Sequence, residues 1–247
     1  MDKGFAGWVI YIWNEYWPFF LKGTIVTLEV AVLGTILGFI LGFLVGILQS
    51  APVVKSDNLF KKTAFRLLLL LSRIYVEIFR STPMMVQGMV IFYGLKSFGP
   101  GLSSFWAAVL VTMLNTGAYM SETVRGGIIS IDYGQQEGAK ALGMSHVATM
   151  FSVILPQAFR NIIPEMVNMY LTNLKMTSVL NVINVAELYF VTKTAAGTYY
   201  RYFESYIICG LIYFVLCTFF TRVFSVLEKK LDGKKNYELA VEYMEAE

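Results

Sequence analysis

The stretch VAVLGTILGFILGFLVGILQSAPVV, residues 30–54, contains no charged side chain. An α-helix rises about 1.5 Å per residue, so roughly 20 apolar residues cross the hydrocarbon core of a bilayer. Residues 97–121 form a second uncharged run of sufficient length. Residues 205–221 form a third, which becomes long enough if Arg222 snorkels to the interface. These runs predict a protein built from membrane-spanning helices.

The composition agrees with a lipid environment and excludes several classes of protein. Hydrophobic residues make up 56% of the chain and charged residues 15%, whereas soluble domains carry about 25% charged residues. The chain has a single histidine, and Cys209 and Cys217 both lie in the third apolar run, which argues against a metal site or a disulfide pair. The phosphate-binding motif G-x-x-x-x-G-K-[ST] does not occur, and the sequence contains no recognisable set of catalytic residues. We therefore expect neither a bound cofactor nor enzymatic activity in this chain.

The positions of the apolar segments predict an all-α integral membrane fold with about five transmembrane helices. The predicted spans are residues 20–48, 66–95, 102–124, 161–180 and 203–227. Most lysines and arginines outside the spans then fall on one side of the membrane, in segments 55–66, 125–160 and 222–235. Positive residues favour the cytoplasmic side, so we predict an outer N-terminus and a cytoplasmic C-terminus.

Three segments follow from this topology. Residues 1–19 contain Trp8, Trp13 and Trp17 and are predicted to form an outer interfacial aromatic segment. Residues 20–228 are predicted to form the transmembrane domain. Residues 229–247 are predicted to form a cytoplasmic tail, which is acidic over residues 237–247. Within the first span, a glycine stripe (Gly34, Gly38, Gly42 and Gly46) predicts close packing against another helix.

The cytoplasmic segment 125–160 is much longer than a simple connection between helices requires. Ala139, Leu142 and His146 follow helical spacing, while Gly143 and Pro156 interrupt it. The pattern predicts two short helices separated by a tight turn at Gly143, where glycine tolerates a positive φ. A structured loop at the membrane surface implies docking to another protein.

This loop resembles the EAA motif of the permease subunits of ABC importers. Glu137-Gly138-Ala139, Gly143, Val153 and Leu155-Pro156 stand at the spacing of that motif, with Gly138 in place of its middle alanine and Val153 in place of isoleucine. Residues 75–87 (YVEIFRSTPMMVQ), 118–143 and 174–188 (LKMTSVLNVINVAEL) resemble the polar amino acid branch of the same family, of the histidine, glutamine and arginine type. The similarity covers residues 24–213.

The resemblance implies a type I importer permease in the bacterial cytoplasmic (inner) membrane, importing polar amino acids. It implies a pair of ATPase subunits that bind ATP and Mg, a second permease chain of identical or paralogous sequence, and an extracytoplasmic amino-acid-binding protein. The protein is expected to be embedded in the lipid bilayer and not to bind nucleic acid. The implied ATPase-coupling residues are Glu137, Gly138, Ala139, Leu142, Gly143 and Pro156.

Ionisable and polar residues inside the spans are candidates for the translocation path, since burying them in lipid is costly. Asn115, Tyr119 and Glu122 share one face of the third span and could meet the ammonium group of an amino acid. The alternatives are hydrogen bonding between helices, and pairing of Glu122 with Arg125.

Two further clusters are candidates for a gate or for a contact with the second chain. In the second span, Glu77 is spaced to pair with both Arg73 and Arg80, and Pro83 should kink the helix one turn later. The other cluster consists of Lys175, Thr177 and Ser178, together with Asn173. Its structural alternative is pairing of Lys175 with Glu187 or with an acidic residue of another span.

An ion-coupled secondary amino-acid transporter is the alternative function. Such a transporter would require internal repeats or its own ion-coupling site, and neither is evident in this sequence. It would also leave the structured cytoplasmic loop unexplained. The amino acid that is carried stays open, because Glu122 is compatible with cationic substrates and also with a purely structural role.

Overall fold

The computed structural model describes residues 4–51, 59–99 and 101–231, and the described chain is almost entirely helical. Residues 232–247 of the predicted tail lie outside the described residues. The helices in chain order are α1 (Phe5–Ser50), α2 (Leu59–Ser81), α3 (Met84–Phe98), α4 (Ser104–Ile129), α5 (Tyr133–Ala141), α6 (His146–Thr149), α7 (Leu155–Met176), α8 (Leu188–Tyr199) and α9 (Tyr202–Leu231). A π-helical turn, Met150–Ile154, joins α6 to α7, and a 3-10 helix, Thr177–Ile183, follows α7.

The first helix is far longer than the predicted first span. It runs without a break from Phe5 to Ser50 and contains Pro18. Ile12 and Phe20 are fully buried in a cluster with residues of α8 and α9, whereas Trp13 and Trp17 are about half exposed. The predicted aromatic segment and the first span are therefore parts of one helix. The buried face of the aromatic segment packs against α8 and α9.

The second predicted span consists of two helices. Helix α2 ends at Ser81 and α3 begins at Met84, with Pro83 as its N-cap. Proline has no backbone N–H and clashes with the preceding turn, so the helix stops here. The predicted disruption at Pro83 is confirmed, as a complete break rather than a kink.

Helix α8 was not predicted and lies after the fourth predicted span. The 3-10 helix ends at Asn184, which has a φ of 60°, in the left-handed region. Glu187 then caps α8 by accepting hydrogen bonds from the backbone N–H groups of Tyr189 (2.8 Å) and Phe190 (2.7 Å). The short extent of α8 and the break before it explain why hydrophobic run length alone did not identify this helix.

Within the described residues, α1 and α9 are each long and apolar enough to cross a membrane. The segments His146–Ile183 and Leu188–Tyr199, bent by 56°, qualify together as a third candidate, either a broken span or a re-entrant loop. The count of about five spans and the orientation of the termini stay predictions.

The glycine stripe of α1 packs against α4, as the sequence predicted. A Cβ atom added to Gly34 would lie 2.5 Å from Thr112 Cβ, and one added to Gly38 would lie 2.5 Å from Thr116 Cβ. Such distances are closer than any real contact, so only glycine allows this approach of the two helices. Helix α4 is thus held in the centre of the described molecule, with many of its residues buried.

A buried polar node connects three helices beside this contact. Asn173 of α7 donates hydrogen bonds from Nδ2 to Thr35 Oγ1 of α1 (2.7 Å) and to Thr116 Oγ1 of α4 (2.8 Å). Because an unpaired amide would be costly here, the node specifies how α1, α4 and α7 pack together.

Candidate functional site

A cavity of about 560 Å³ between α1, α2 and α4 joins two of the clusters that were predicted separately. Glu77 and Arg80 of α2 line it together with Tyr119 and Glu122 of α4. The remaining lining residues are Gln49, Arg73, Val76 and Ser81. The spacing on α2 and on α4 therefore placed these four polar side chains toward a common space.

Glu122 is the centre of the charge arrangement in this cavity. Its Oε2 atom lies 2.8 Å from Arg125 Nη2 and 3.7 Å from Arg80 Nη1. The guanidinium group of Arg80 also lies over the ring of Tyr119, 5.7 Å from its centroid. The pairing of Glu122 with Arg125, which the sequence offered as an alternative to substrate contact, is present in the structure.

The predicted pairing of Glu77 with both arginines of α2 is wrong. Arg80 reaches across to Glu122, and neither Glu77 nor Arg73 forms an ion pair with another described residue. Helical spacing permits pairing along α2, but such exposed pairs contribute little free energy. A carboxylate on the facing helix therefore competes effectively for Arg80.

Asn115 shares the face of α4 with Tyr119 and Glu122, yet it is not among the residues that line the cavity. Its Nδ2 atom donates to Gln87 Oε1 at 3.0 Å and lies 3.4 Å from the carbonyl oxygen of Phe79. Tyr119 and Glu122 therefore line the cavity, whereas the amide of Asn115 is directed at the break between α2 and α3. This is the helix–helix hydrogen bonding that the sequence left open as an alternative.

Gln87, which sequence analysis did not single out, holds that break together. Its Nε2 atom lies 2.9 Å from the carbonyl oxygens of Phe79 and Thr82 and 2.9 Å from Thr82 Oγ1. In an unbroken helix the Phe79 carbonyl would accept a hydrogen bond from residue 83, where proline has no N–H. A glutamine one turn after a proline in an otherwise apolar segment is the signal that could have identified it.

Lys175, Thr177 and Ser178 do not converge on the cavity. Thr177 is buried and donates to the carbonyl oxygen of Leu174 (2.9 Å), while Ser178 donates to that of Lys175 (2.7 Å). Lys175 is exposed. Its alternative pairing with Glu187 is wrong, because that carboxylate caps α8.

The segment between α4 and α7, which was predicted to be cytoplasmic, contains two short helices with a tight turn between them, as expected. Gly143 has a φ of 79°. Its N–H donates to the Lys140 carbonyl (2.9 Å), and the N–H of Met144 donates to the Ala139 carbonyl (3.1 Å). These bonds form a Schellman motif, in which a left-handed residue closes the helix and glycine carries no steric penalty.

The second helix of the loop was expected to end at Pro156, and this expectation is wrong. The chain continues from α6 through the π-helical turn into α7, and Pro156 occupies its first turn. Proline has no N–H to donate to the carbonyl of residue 152, and the π-helical turn directly before α7 accommodates this missing bond. The loop is therefore joined to α7 by continuous helical structure.

The surface of the loop exposes large apolar side chains. Leu142 is 85% exposed, Val147 64% and Phe151 62%. Glu137 and Gly138 are also exposed, while Ala139 is buried against the rest of the loop. Within residues 4–51, 59–99 and 101–231, no group of three or more His, Cys, Asp or Glu side chains is placed to hold a metal ion.

The apolar spans, the charged cavity between helices and the exposed apolar loop are those expected of a membrane-embedded subunit that docks to another protein. Residues 63–233 match the family model described as "Binding-protein-dependent transport system inner membrane component". The chain belongs to this family. It is the permease, the membrane subunit of an ABC transporter, and the ATPase of such a transporter is a separate subunit.

Several relatives align over nearly their full length. The arginine transport system permease protein ArtQ of Bacillus subtilis is 37% identical over 215 residues, covering 87% of this chain and 93% of ArtQ. The L-cystine transport system permease protein TcyB of the same organism is 34% identical over 220 residues, covering 89% of each chain.

Solved structures agree with the fold. A crystal structure of an amino acid ABC transporter with histidines matches with a TM-score of 0.78 and 34% identity, covering 88% of this chain and 96% of that one. An inward-facing MetNI methionine ABC transporter matches with a TM-score of 0.71 at 16% identity, covering 88% and 98%. The predicted family, helical fold and inner-membrane location are confirmed, and the ion-coupled alternative has no support.

Proposed function

We propose that this chain lines the translocation path for a polar amino acid in an ATP-driven importer. The observation that carries the proposal is the cavity between α1, α2 and α4, in which carboxylates and guanidinium groups face one another. A zwitterionic amino acid presents one ammonium and one carboxylate, so it matches a site with charges of both signs. The relatives named for arginine and cystine transport support this class of substrate.

Within the cavity, different residues have different roles. Glu77 and Arg73 form no ion pair with described residues, so they are available to an ammonium and a carboxylate, respectively. Tyr119 and Glu122 line the path beside them. Asn115 contributes indirectly, by holding the α2–α3 break through Gln87.

The contact between Arg80 and Glu122 is the candidate inner gate. At 3.7 Å it links α2 to α4 across the cavity, and both side chains are partly exposed, at 44% and 27%. An ion pair of this kind contributes only about 0–1 kcal/mol, so a substrate carboxylate or a small helix displacement can open it.

The exposed loop is the proposed docking site for the ATPase pair, which would bind ATP and Mg. Leu142 and Glu137 would enter a groove on the ATPase, and the Schellman turn at Gly143 would keep the loop rigid. Closure of the two ATPases around ATP would draw the loops of two permease chains together. Because the loop joins α7 by continuous helical structure, the displacement would reach the cavity through α7 and α4.

A second permease chain and an extracytoplasmic amino-acid-binding protein complete the proposed assembly. Lys175, exposed on a largely apolar bundle, is the candidate contact with the second chain or an outer gate. Thr177 is buried within its own chain and supports this segment rather than contacting a partner.

Transport measured in liposomes tests the proposal. The permease would be reconstituted with its ATPase and binding protein, and labelled arginine, histidine, lysine, glutamine and glutamate would be compared with and without ATP. We expect ATP-dependent accumulation of one of them. Uptake that needs no ATPase and follows an ion gradient would instead favour the secondary transporter.

A further inference from the structure

A second polar cavity, of about 670 Å³, lies where the ends of α1 and α4 meet the loop helices. Arg125, Lys140 and His146 line it, with the hydrogen-bonding side chains of Gln49, Ser50 and Tyr133 beside them. It shares only Gln49 with the cavity proposed for translocation. The two spaces are therefore separate sites on this chain.

The charge of this cavity has one sign. None of its lining residues is an aspartate or a glutamate. Arg125 is held in place by Glu122 through Nη2, and its side chain is still 42% exposed, so other N–H groups of the guanidinium remain accessible. Lys140 and His146 are exposed and make no ion pair with a described residue. Such a set of donors suits an anion that accepts several hydrogen bonds at once.

One part of the cavity wall is apolar. Ile128, Ile129, Ile131 and Met150 line it, and Ile129 is 66% exposed. Inorganic anions gain nothing from such a wall, whereas an amphiphile buries its hydrocarbon part there. The cavity also lies next to the end of the membrane-embedded α4, at the depth where lipid headgroups are found if the proposed orientation holds.

We propose that this cavity binds the phosphate group of an anionic phospholipid at the cytoplasmic surface. The phosphate contacts Arg125, Lys140 and His146, and the glycerol and upper acyl groups contact the isoleucine wall. The lipid would then bridge α4 and α5, and so brace the loop against the membrane. This inference rests on the proposed orientation, but it does not depend on which substrate is carried.

Native mass spectrometry of the full chain, purified in detergent, tests the inference. The chain would be titrated with phosphatidylglycerol and with phosphatidylcholine. We expect tighter binding of phosphatidylglycerol, and a loss of about tenfold in its affinity in the Lys140→Gln/His146→Gln double variant, with binding of phosphatidylcholine unchanged. Lys193→Gln removes an exposed cation from α8 and should retain the preference.

Three results would overturn the inference. These are equal affinity for the two lipids, a double variant that keeps the preference, and displacement of phosphatidylglycerol by an equal concentration of inorganic phosphate. The last result would assign the cavity to a free anion. If the double variant fails to fold, each single variant should still show a partial loss. No ATPase or transport is involved, so failure here is distinguishable from failure of the proposed function.

Discussion

At the residue scale, two buried polar side chains, Gln87 and Glu187, repair breaks between helices. Gln87 donates to the carbonyl of Phe79, which Pro83 leaves without its helical donor, and also to the carbonyl of Thr82. Glu187 accepts hydrogen bonds from the first N–H groups of α8. Neither role was predicted from the sequence. A polar residue in an apolar segment indicates a function or a structural repair, and only the positions of its neighbours distinguish the two.

Replacing Gln87 with methionine tests the repair role. The change preserves the volume but leaves the carbonyls of Phe79 and Thr82 without this donor, at a cost of about 1–3 kcal/mol for each unsatisfied group. We expect a lower unfolding temperature in detergent. Thr82→Val removes only the hydroxyl partner and should have a smaller effect, and equal unfolding temperatures for the two variants would contradict this role.

Replacing Glu122 with glutamine tests the cavity. The change removes the charge that Arg80 and Arg125 share, and because Glu122 is partly exposed the free energy of unfolding should change by only about 0–1 kcal/mol. Transport should fall several-fold while the ATPase still co-purifies. Glu165→Gln makes the same change on the exposed surface of α7 and should leave transport normal. Normal transport by Glu122→Gln would remove this residue from the path.

At the element scale, the loop between α4 and α7 was the most predictable part of the chain. The two helices and the turn at Gly143 were predicted because caps and turns depend on local backbone chemistry. The end of the second helix was predicted incorrectly, since a proline both terminates helices and begins them. Helix α8 was also missed because its N-cap, Glu187, packs against α1 and accepts a hydrogen bond from Tyr213 of α9 (3.3 Å), and local sequence does not show such contacts.

Replacing Gly143 with aspartate tests the loop as a coupling element. At a φ of 79° aspartate is strained less than most residues but more than glycine, and it places new charge in the turn. We expect the variant to insert normally but to bind less ATPase on co-purification, and the same holds for Glu137→Lys. Gly138→Ala is the control, because it restores the alanine of the motif in open space on a helix. Wild-type co-purification of the aspartate variant would refute the coupling role.

At the scale of the whole molecule, close packing of α1 against α4 organises the bundle. The glycine stripe predicted such a contact, but the sequence did not show which helix would be the partner. The node formed by Asn173, Thr35 and Thr116 joins residues that are far apart in the chain, and no local pattern predicts it.

Replacing Gly38 with alanine tests this packing. The new Cβ would lie 2.5 Å from Thr116 Cβ, so the helices must separate, at a cost of about 1–3 kcal/mol for an overpacked core. Thermal unfolding in detergent should begin at a lower temperature. Gly94→Ala adds the same atom to α3, where nothing lies within 4 Å, and should be neutral or stabilising. Unchanged stability of Gly38→Ala would contradict the contact.

The orientation in the membrane is open to a direct test. Single cysteines at positions 140 and 193 would be introduced into a chain that lacks Cys209 and Cys217. The distribution of lysine and arginine predicts that a membrane-impermeant thiol reagent labels position 193 in intact cells and position 140 only after permeabilisation. The reverse pattern would invert the proposed topology, and labelling of both positions in intact cells would disprove the predicted number of crossings.

Local sequence features were enough to predict the membrane class, the helical nature of the chain, its family, and the two helices and the Gly143 turn of the loop between α4 and α7. Each of these depends on run length, charge content, spacing or turn residues. Three contacts became known only from the folded molecule: Arg80 pairs with Glu122, Asn115 supports a helix break, and Glu187 caps a helix instead of meeting Lys175. These contacts join separate segments, and their choice depends on the relative positions of packed helices, which hydrophobic periodicity does not specify.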